Sequence, residues 1–141
     1  FVQGNLTLQI PKIQVSAPIL VGSKKEEVDQ LLSQGALSLG PYTPPPKKGR
    51  TLIFGHSSDY PWKGNIYSTL FSNLSKLAIG DSILIVRGKD HFEYRVREML
   101  ISDRDLAPVL SSQWAGNELV LSTCYPIGLF TKRLNVIASA L

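Results

Sequence analysis

The chain has 141 residues, is 43% hydrophobic, and carries 15 Lys and Arg against 11 Asp and Glu, a net charge of +4. That length makes one domain with a core of its own, and its positives, densest at Lys47, Lys48 and Arg50, form no basic stripe with interleaved aromatics, which argues against a nucleic-acid partner. A single cysteine excludes an internal disulfide and a cysteine-based structural zinc, and no apolar run approaches the ~18 residues of a membrane helix.

The sequence opens without a Met or a signal peptide and reads as an excised domain, with any anchor of its parent outside it. Residues 5–10 (NLTLQI) alternate, with Leu6, Leu8 and Ile10 on one side, as in a half-buried strand. After a break at Pro11, QVSAPIL continues as a second strand. In KKEEVDQLLSQGA, Val28, Leu31 and Leu32 fall at helical spacing, and Gly35 is a helix stop. Residues 40–49 (GPYTPPPKKG) read as an extended, solvated connection. RTLIFGH (50–56) is a strand, followed by a loop, SSDYPWKGN. Tyr67, Leu70, Phe71, Leu74 and Leu77 form one face of an expected second helix. Residues 82–101 read as a hairpin turning at Gly88-Lys89-Asp90. NELVLST (117–123) and KRLNVIASAL (132–141) are the last strands. Seven or so strands with two short helices predict an all-β fold, a closed or nearly closed barrel, mostly antiparallel.

The chemistry concentrates at strand ends. Along 117–124, Leu119 and Leu121 share one face, and Val120, Ser122 and Cys124 share the other. In the next strand Leu134, Val136 and Ala138 share a face, opposite Arg133, Asn135 and Ser139. If the two pair as antiparallel neighbours, Cys124 and Arg133 lie at one end of the sheet on its non-core face. His56 also ends an apolar strand. Cys124 is then a nucleophile active as thiolate, His56 a proton donor or acceptor, and Arg133 a fixed cation for an oxyanion or a carbonyl. Taken singly, each has a plainer explanation: a small buried thiol, a hydrogen-bonded histidine, a solvated strand charge. His91 reads as a solvated hairpin residue, Trp62 and Trp114 as partial core or loop anchors, and Asp59 as a turn former. Two distant histidines and scattered carboxylates give no metal-ligand spacing.

The ordered set resembles the sortases, cysteine transpeptidases of Gram-positive cell surfaces. The family's T-L-x-T-C signature stands here as Val120-Leu121-Ser122-Thr123-Cys124, with Arg133 on the next strand and Val120 in place of the first Thr. TLIFGHSS is similar to the strand that ends in the family's catalytic His. LSKLAIGDSILIV resembles its L-x-x-L-x-x-G-D-x-I segment, and IPKIQVSAPIL its opening strands. The resemblance implies one catalytic domain over residues 1–141, a closed eight-stranded barrel, and acyl transfer by His56, Cys124 and Arg133. Its substrates would be surface proteins with a C-terminal LPxTG-like sorting signal. The acceptor would be an amine of a cell-wall peptide or a pilin. By analogy Phe54, Val120, Ser122 and Asn135 wall the substrate groove. Calcium-binding relatives use loop carboxylates; Asp59, Asp103, Asp105 and Glu118 are too thin a cluster, so neither metal nor cofactor is expected. The Asp-Pro-aromatic lid motif of pilin-polymerising members is not seen before Leu6, which leans towards an anchoring enzyme. The resemblance also implies a monomer on the outer face of the cell membrane, its parent membrane-anchored.

Two other readings stay open. An L,D-transpeptidase would also use cysteine, but its Ser-His-Gly-Cys run is absent. A non-catalytic surface-binding barrel would hold Cys124 as core.

Overall fold

The computed structural model describes residues 6–22, 35–39, 49–56, 70–103, 116–125 and 132–141. Eight strands make one closed barrel: β1 Leu6–Ile10, β2 Val15–Gly22, β3 Ala36–Leu39, β4 Gly49–Phe54, β5 Ser82–Arg87, β6 Asp90–Asp103, β7 Asn117–Tyr125 and β8 Lys132–Ala140. Their order around the barrel is β1-β2-β3-β4-β7-β8-β6-β5, closing back on β1. Closure leaves no sheet edge unpaired. Two neighbouring pairs, β2·β3 and β4·β7, are parallel; the others are antiparallel.

Alternation selects what fills the interior. Leu6, Leu8 and Ile10 of β1, Ile83 and Ile85 of β5, Leu119 and Leu121 of β7, and Leu134, Val136 and Ala138 of β8 pack in one buried cluster. Each fully buried Leu or Ile contributes about 1.5–3 kcal/mol over leaving it in water. On the opposite face Val120 and Ile137 are also buried, with Leu52 and Leu100 packed against them.

The β5–β6 hairpin forms as expected. Arg87 pairs with Asp90 across a two-residue turn, and Gly88 takes φ 61, the left-handed conformation that such a turn asks of its first position. In β6 the register slips between Val96 and Glu98, so Arg97 is an extra residue, a β-bulge. Before it Tyr94 and Val96 point into the core; after it Met99 does.

β3 was not expected as a strand. It has four residues and follows Gly35, where the sequence pattern ends a helix. Gly35 sits so close to Pro18 that a Cβ would fall 2.5 Å from its carbonyl oxygen. The expected helix over 24–36 otherwise lies outside the described residues, as does the loop at 57–65 with Asp59 and Trp62. So do Trp114 and most of the loop at 40–49.

The second expected helix is corrected over its described part. Residues 70–77 form turns with a single 3₁₀ turn at Leu74–Lys76. Phe71, Leu74 and Leu77 are buried, so the apolar face was read correctly but the backbone was not. Ser72, Asn73 and Ser75 compete poorly for helix. The Phe71 N–H goes to the His56 carbonyl at 2.8 Å rather than to a helical partner. The stretch that follows closes on Asp81, whose carboxylate accepts the Ala78 N–H at 2.7 Å and the Lys12 ammonium at 2.9 Å. Both bonds hold its pKa below the ordinary 3.8, the Lys12 bond most.

Candidate active site

Three adjacent strands build the site. β8 runs antiparallel to β7 with Cys124 directly opposite Arg133 and Ser122 opposite Asn135. β4 runs parallel to β7 with Phe54 opposite Ser122. The Gly55 N–H extends that ladder to the Ser122 carbonyl at 3.3 Å. His56 follows Gly55 at that end of β4, two residues past the last paired position, Phe54. Ile53, Leu121 and Leu134 lie in the core. By alternation Phe54, Ser122, Arg133 and Asn135 all belong to the opposite face. The backbone therefore pairs two of the sequence-predicted catalytic positions, Cys124 and Arg133, sets the third just past the end of the neighbouring strand, and places three of the four predicted groove residues in the next row. Val120, the fourth, lies one step further along β7, opposite Leu52 and Ile137.

The backbone at His56 is held from both sides. Thr123 Oγ1 donates to the Gly55 carbonyl at 2.8 Å, tying the end of β4 to β7. The Phe71 N–H donates to the His56 carbonyl. Gly55 allows both: a Cβ there would lie 2.6 Å from the Phe71 ring. A larger residue would push Phe71, and the strand end with it, out of place. The imidazole is half-buried, within a frame that gives its strand little freedom.

Arg133 lies along its own face rather than out in solvent. Its Nε donates to Ser122 Oγ at 2.8 Å. Its guanidinium carbon sits 5.2 Å from the centroid of the Phe54 ring, a cation–π contact. Phe54 and Ser122 thus fix the cation through a ring face and a neutral hydroxyl. Asn135 Nδ2 reaches across to β6, donating to the Leu100 carbonyl and to Ser102 Oγ.

Against known families, residues 8–141 match the model of the Sortase domain. The chain belongs to the sortase family. Members of this family are cysteine transpeptidases. Sortase D of Bacillus subtilis (strain 168) is 26% identical over 127 residues, which are 88% of this chain and 56% of that protein. The chain thus spans about half the length of the curated relative it matches. Among solved structures, sortase C-1 from Actinomyces oris superposes with a TM-score of 0.81 at 23% identity, covering all of this chain and 76% of that one. The pilus-related sortase C of Group B Streptococcus gives 0.78 at 28% identity, over all of this chain and 69% of that one. The eight-stranded barrel is the sortase fold.

Within that sortase barrel three residues at this strand end were given no positioning role by the sequence: Thr123, Gly55 and Phe71. The signal for the first two was adjacency, since each precedes a candidate catalytic residue. Phe71 gave none, because its role is a backbone N–H. Glu118, weighed as a metal ligand, is committed elsewhere. Its carboxylate accepts from Arg50 Nη2 at 2.8 Å and Nε at 3.1 Å, and from Arg97 on the β6 bulge. Only 1% of its side chain is exposed. Asp103, exposed, faces Lys132 at 3.2 Å. Among the described residues no group of His, Cys, Asp and Glu could hold a metal; Asp59 and Asp105 lie outside them. His91, on the exposed arm of the hairpin, takes no part in the row.

Proposed function

We propose that residues 1–141 act as one sortase-type catalytic domain that moves an acyl group from an LPxTG-like sorting signal to an amine through a thioester on Cys124. The observation that carries this reading is the strand register: Cys124 opposite Arg133 on one side, and the His56 strand end on the other. The parent protein works at the outer face of a Gram-positive cell membrane. Its donors are surface proteins carrying a C-terminal sorting signal, and its acceptor is an amine of a cell-wall peptide or a pilin.

The chemistry follows from the three groups. The Cys124 thiolate attacks the Thr carbonyl carbon, and the C=O electron pair moves onto oxygen. Arg133 donates to that oxyanion or to the adjoining substrate backbone, from a position Ser122 and Phe54 hold in advance. Preorganisation matters because the cation need not reorient as charge develops. The intermediate collapses, the C–N bond breaks, and the glycine amine leaves with a proton from the His56 imidazolium. The acceptor amine then attacks the thioester, His56 takes its proton, and the thiolate departs. Phe54, Val120, Ser122 and Asn135 form the floor on which the acyl donor lies.

The test uses a quenched LPxTG-type peptide with and without an added amine. We expect fluorescence release, an amine-dependent product, and an acyl mass increment on the peptide containing Cys124. Cys124→Ala should lose turnover by about 10⁴-fold or more while circular dichroism stays unchanged. An unalkylatable thiol, together with no turnover across a full panel of sorting motifs, would favour a binding module on the same barrel.

A further inference from the structure

Asn135 sits one step along the face from the Cys124–Arg133 pair, opposite Ser122. Its Nδ2 donates to the Leu100 carbonyl at 3.3 Å and to Ser102 Oγ at 3.0 Å. A carbonyl oxygen only accepts, so chemistry settles the amide's orientation: nitrogen towards β6, Oδ1 away from it. Among the described residues Oδ1 has no hydrogen-bond partner, although the side chain is fully buried. Ser122 is also fully buried. Its Oγ accepts from Arg133 Nε, and among the described residues its own hydrogen goes to no acceptor. Two residues paired across adjacent strands thus hold one unspent acceptor and one unspent donor. A buried acceptor without a partner is unfavourable, and in a binding face it marks a place kept for a ligand's N–H.

One group in a peptide supplies both complements together: the amide. It comes either as the N–H and C=O of an extended residue or as the carboxamide of Asn or Gln. We propose that Ser122 and Asn135 form an amide-reading subsite for the acyl donor. Asn135 Oδ1 accepts the N–H, and the Ser122 hydroxyl donates to the C=O. This rests on the sortase reading of the groove. Along β7 the subsite lies two residues from Cys124, roughly 6.6–7 Å. An extended peptide whose reacting carbonyl is at Cys124 therefore places over it a residue about two positions away. Neither side chain has accessible surface, so the groove must open above them to admit the peptide. Oδ1 favours that opening, because exposure hydrates an atom that burial leaves unpaired.

Two measurements decide it. The first needs no turnover: acetamide is titrated into the isotope-labelled full chain and followed on the Asn135 side-chain amide signals. A saturable shift is expected with acetamide and none with methyl acetate, which lacks the N–H. The second compares LPxTG-type peptides. One series replaces each backbone amide in turn by an ester; another exchanges Asn or Gln for Leu at the variable position. Loss of about tenfold in kcat/KM is expected at one position in one series, and that series names the source of the amide. In Asn135→Leu the same comparison should shrink to about twofold or less. Undiminished discrimination in Asn135→Leu, or an acetamide response no different from that of methyl acetate, overturns the subsite. Should Asn135→Leu fail to fold, the titration of the unaltered chain decides alone. A specific acetamide shift with no peptide turned over sustains the subsite and removes the sortase reading. Turnover without any amide preference does the reverse.

Discussion

The two ends of the β4–β7–β8 face hold arginines in different surroundings. At one end Arg50 and Arg97 close on Glu118, whose side chain is buried between them. At the other, Arg133 rests on a neutral hydroxyl and a ring face. A guanidinium tied to a carboxylate has spent its charge on the fold. Arg133 is held too, with Ser122 Oγ and the Phe54 ring among its contacts, at the strand end where the proposed chemistry takes place. The apolar row of Leu52, Val120 and Ile137 separates the two ends, which keeps the buried ion pairs apart from the end proposed to carry the chemistry.

Glu118→Leu probes the structural end most strongly. It takes the carboxylate away from Arg50, whose side chain is only 6% exposed, and should destabilise the fold by about 3–5 kcal/mol. Urea denaturation measures that loss, while turnover per folded molecule should hold. A variant as stable as the parent would dissolve the contrast. Next in size, Arg133→Lys should lower kcat by about a hundredfold, because an ammonium cannot reproduce the planar fork held by Ser122 and Phe54. Near-parental kinetics would remove Arg133 from the mechanism. Thr123→Val keeps the shape but deletes the bond to the Gly55 carbonyl. It should reduce stability by about 1 kcal/mol and kcat by more than the lost folded fraction accounts for. A purely structural Thr123 would leave turnover per folded molecule unchanged.

The smallest effect lies away from both ends, at Asp81. Its pKa is held below 3.8 by the Lys12 and Ala78 hydrogen bonds. A carboxyl depressed in the folded state stabilises fully above its unfolded pKa and loses that contribution as pH falls through the folded one. Stability should therefore decline below about pH 4, less steeply in Asp81→Asn. Identical acid profiles would show that the bonds contribute nothing to the fold.

Much of this was legible because strand alternation sorts core from opposite face without knowledge of partners. Leu119, Leu121, Leu134 and Val136 went inward, and Cys124 pairs with Arg133 across the strands, as the alternation requires. The β6 bulge was not read from the sequence, although the core residues change parity across it, from Tyr94 and Val96 to Met99. β3 stayed hidden because four residues show too little periodicity, and its partners are 17 or so residues away on either side. The 67–77 segment misled because its apolar spacing suits a helix or a string of turns against a barrel equally well. The bonds from Thr123 to Gly55 and from Phe71 to His56 join distant segments, one of them through main-chain atoms alone. No residue type announces such a bond. The direction of the Asn135 amide was likewise invisible, since it depends on a carbonyl of β6.

The parallel pairing of β4 with β7 joins segments 68 residues apart. Contacts so distant in sequence are slow to form, because the intervening loop must lose its entropy first. The ladder that shuts the barrel between those strands also brings the end of β4, where His56 follows, beside β7. On the proposed function, a nascent or half-folded chain would hold its cysteine and histidine on unconnected segments, and activity would arrive only with the finished cylinder.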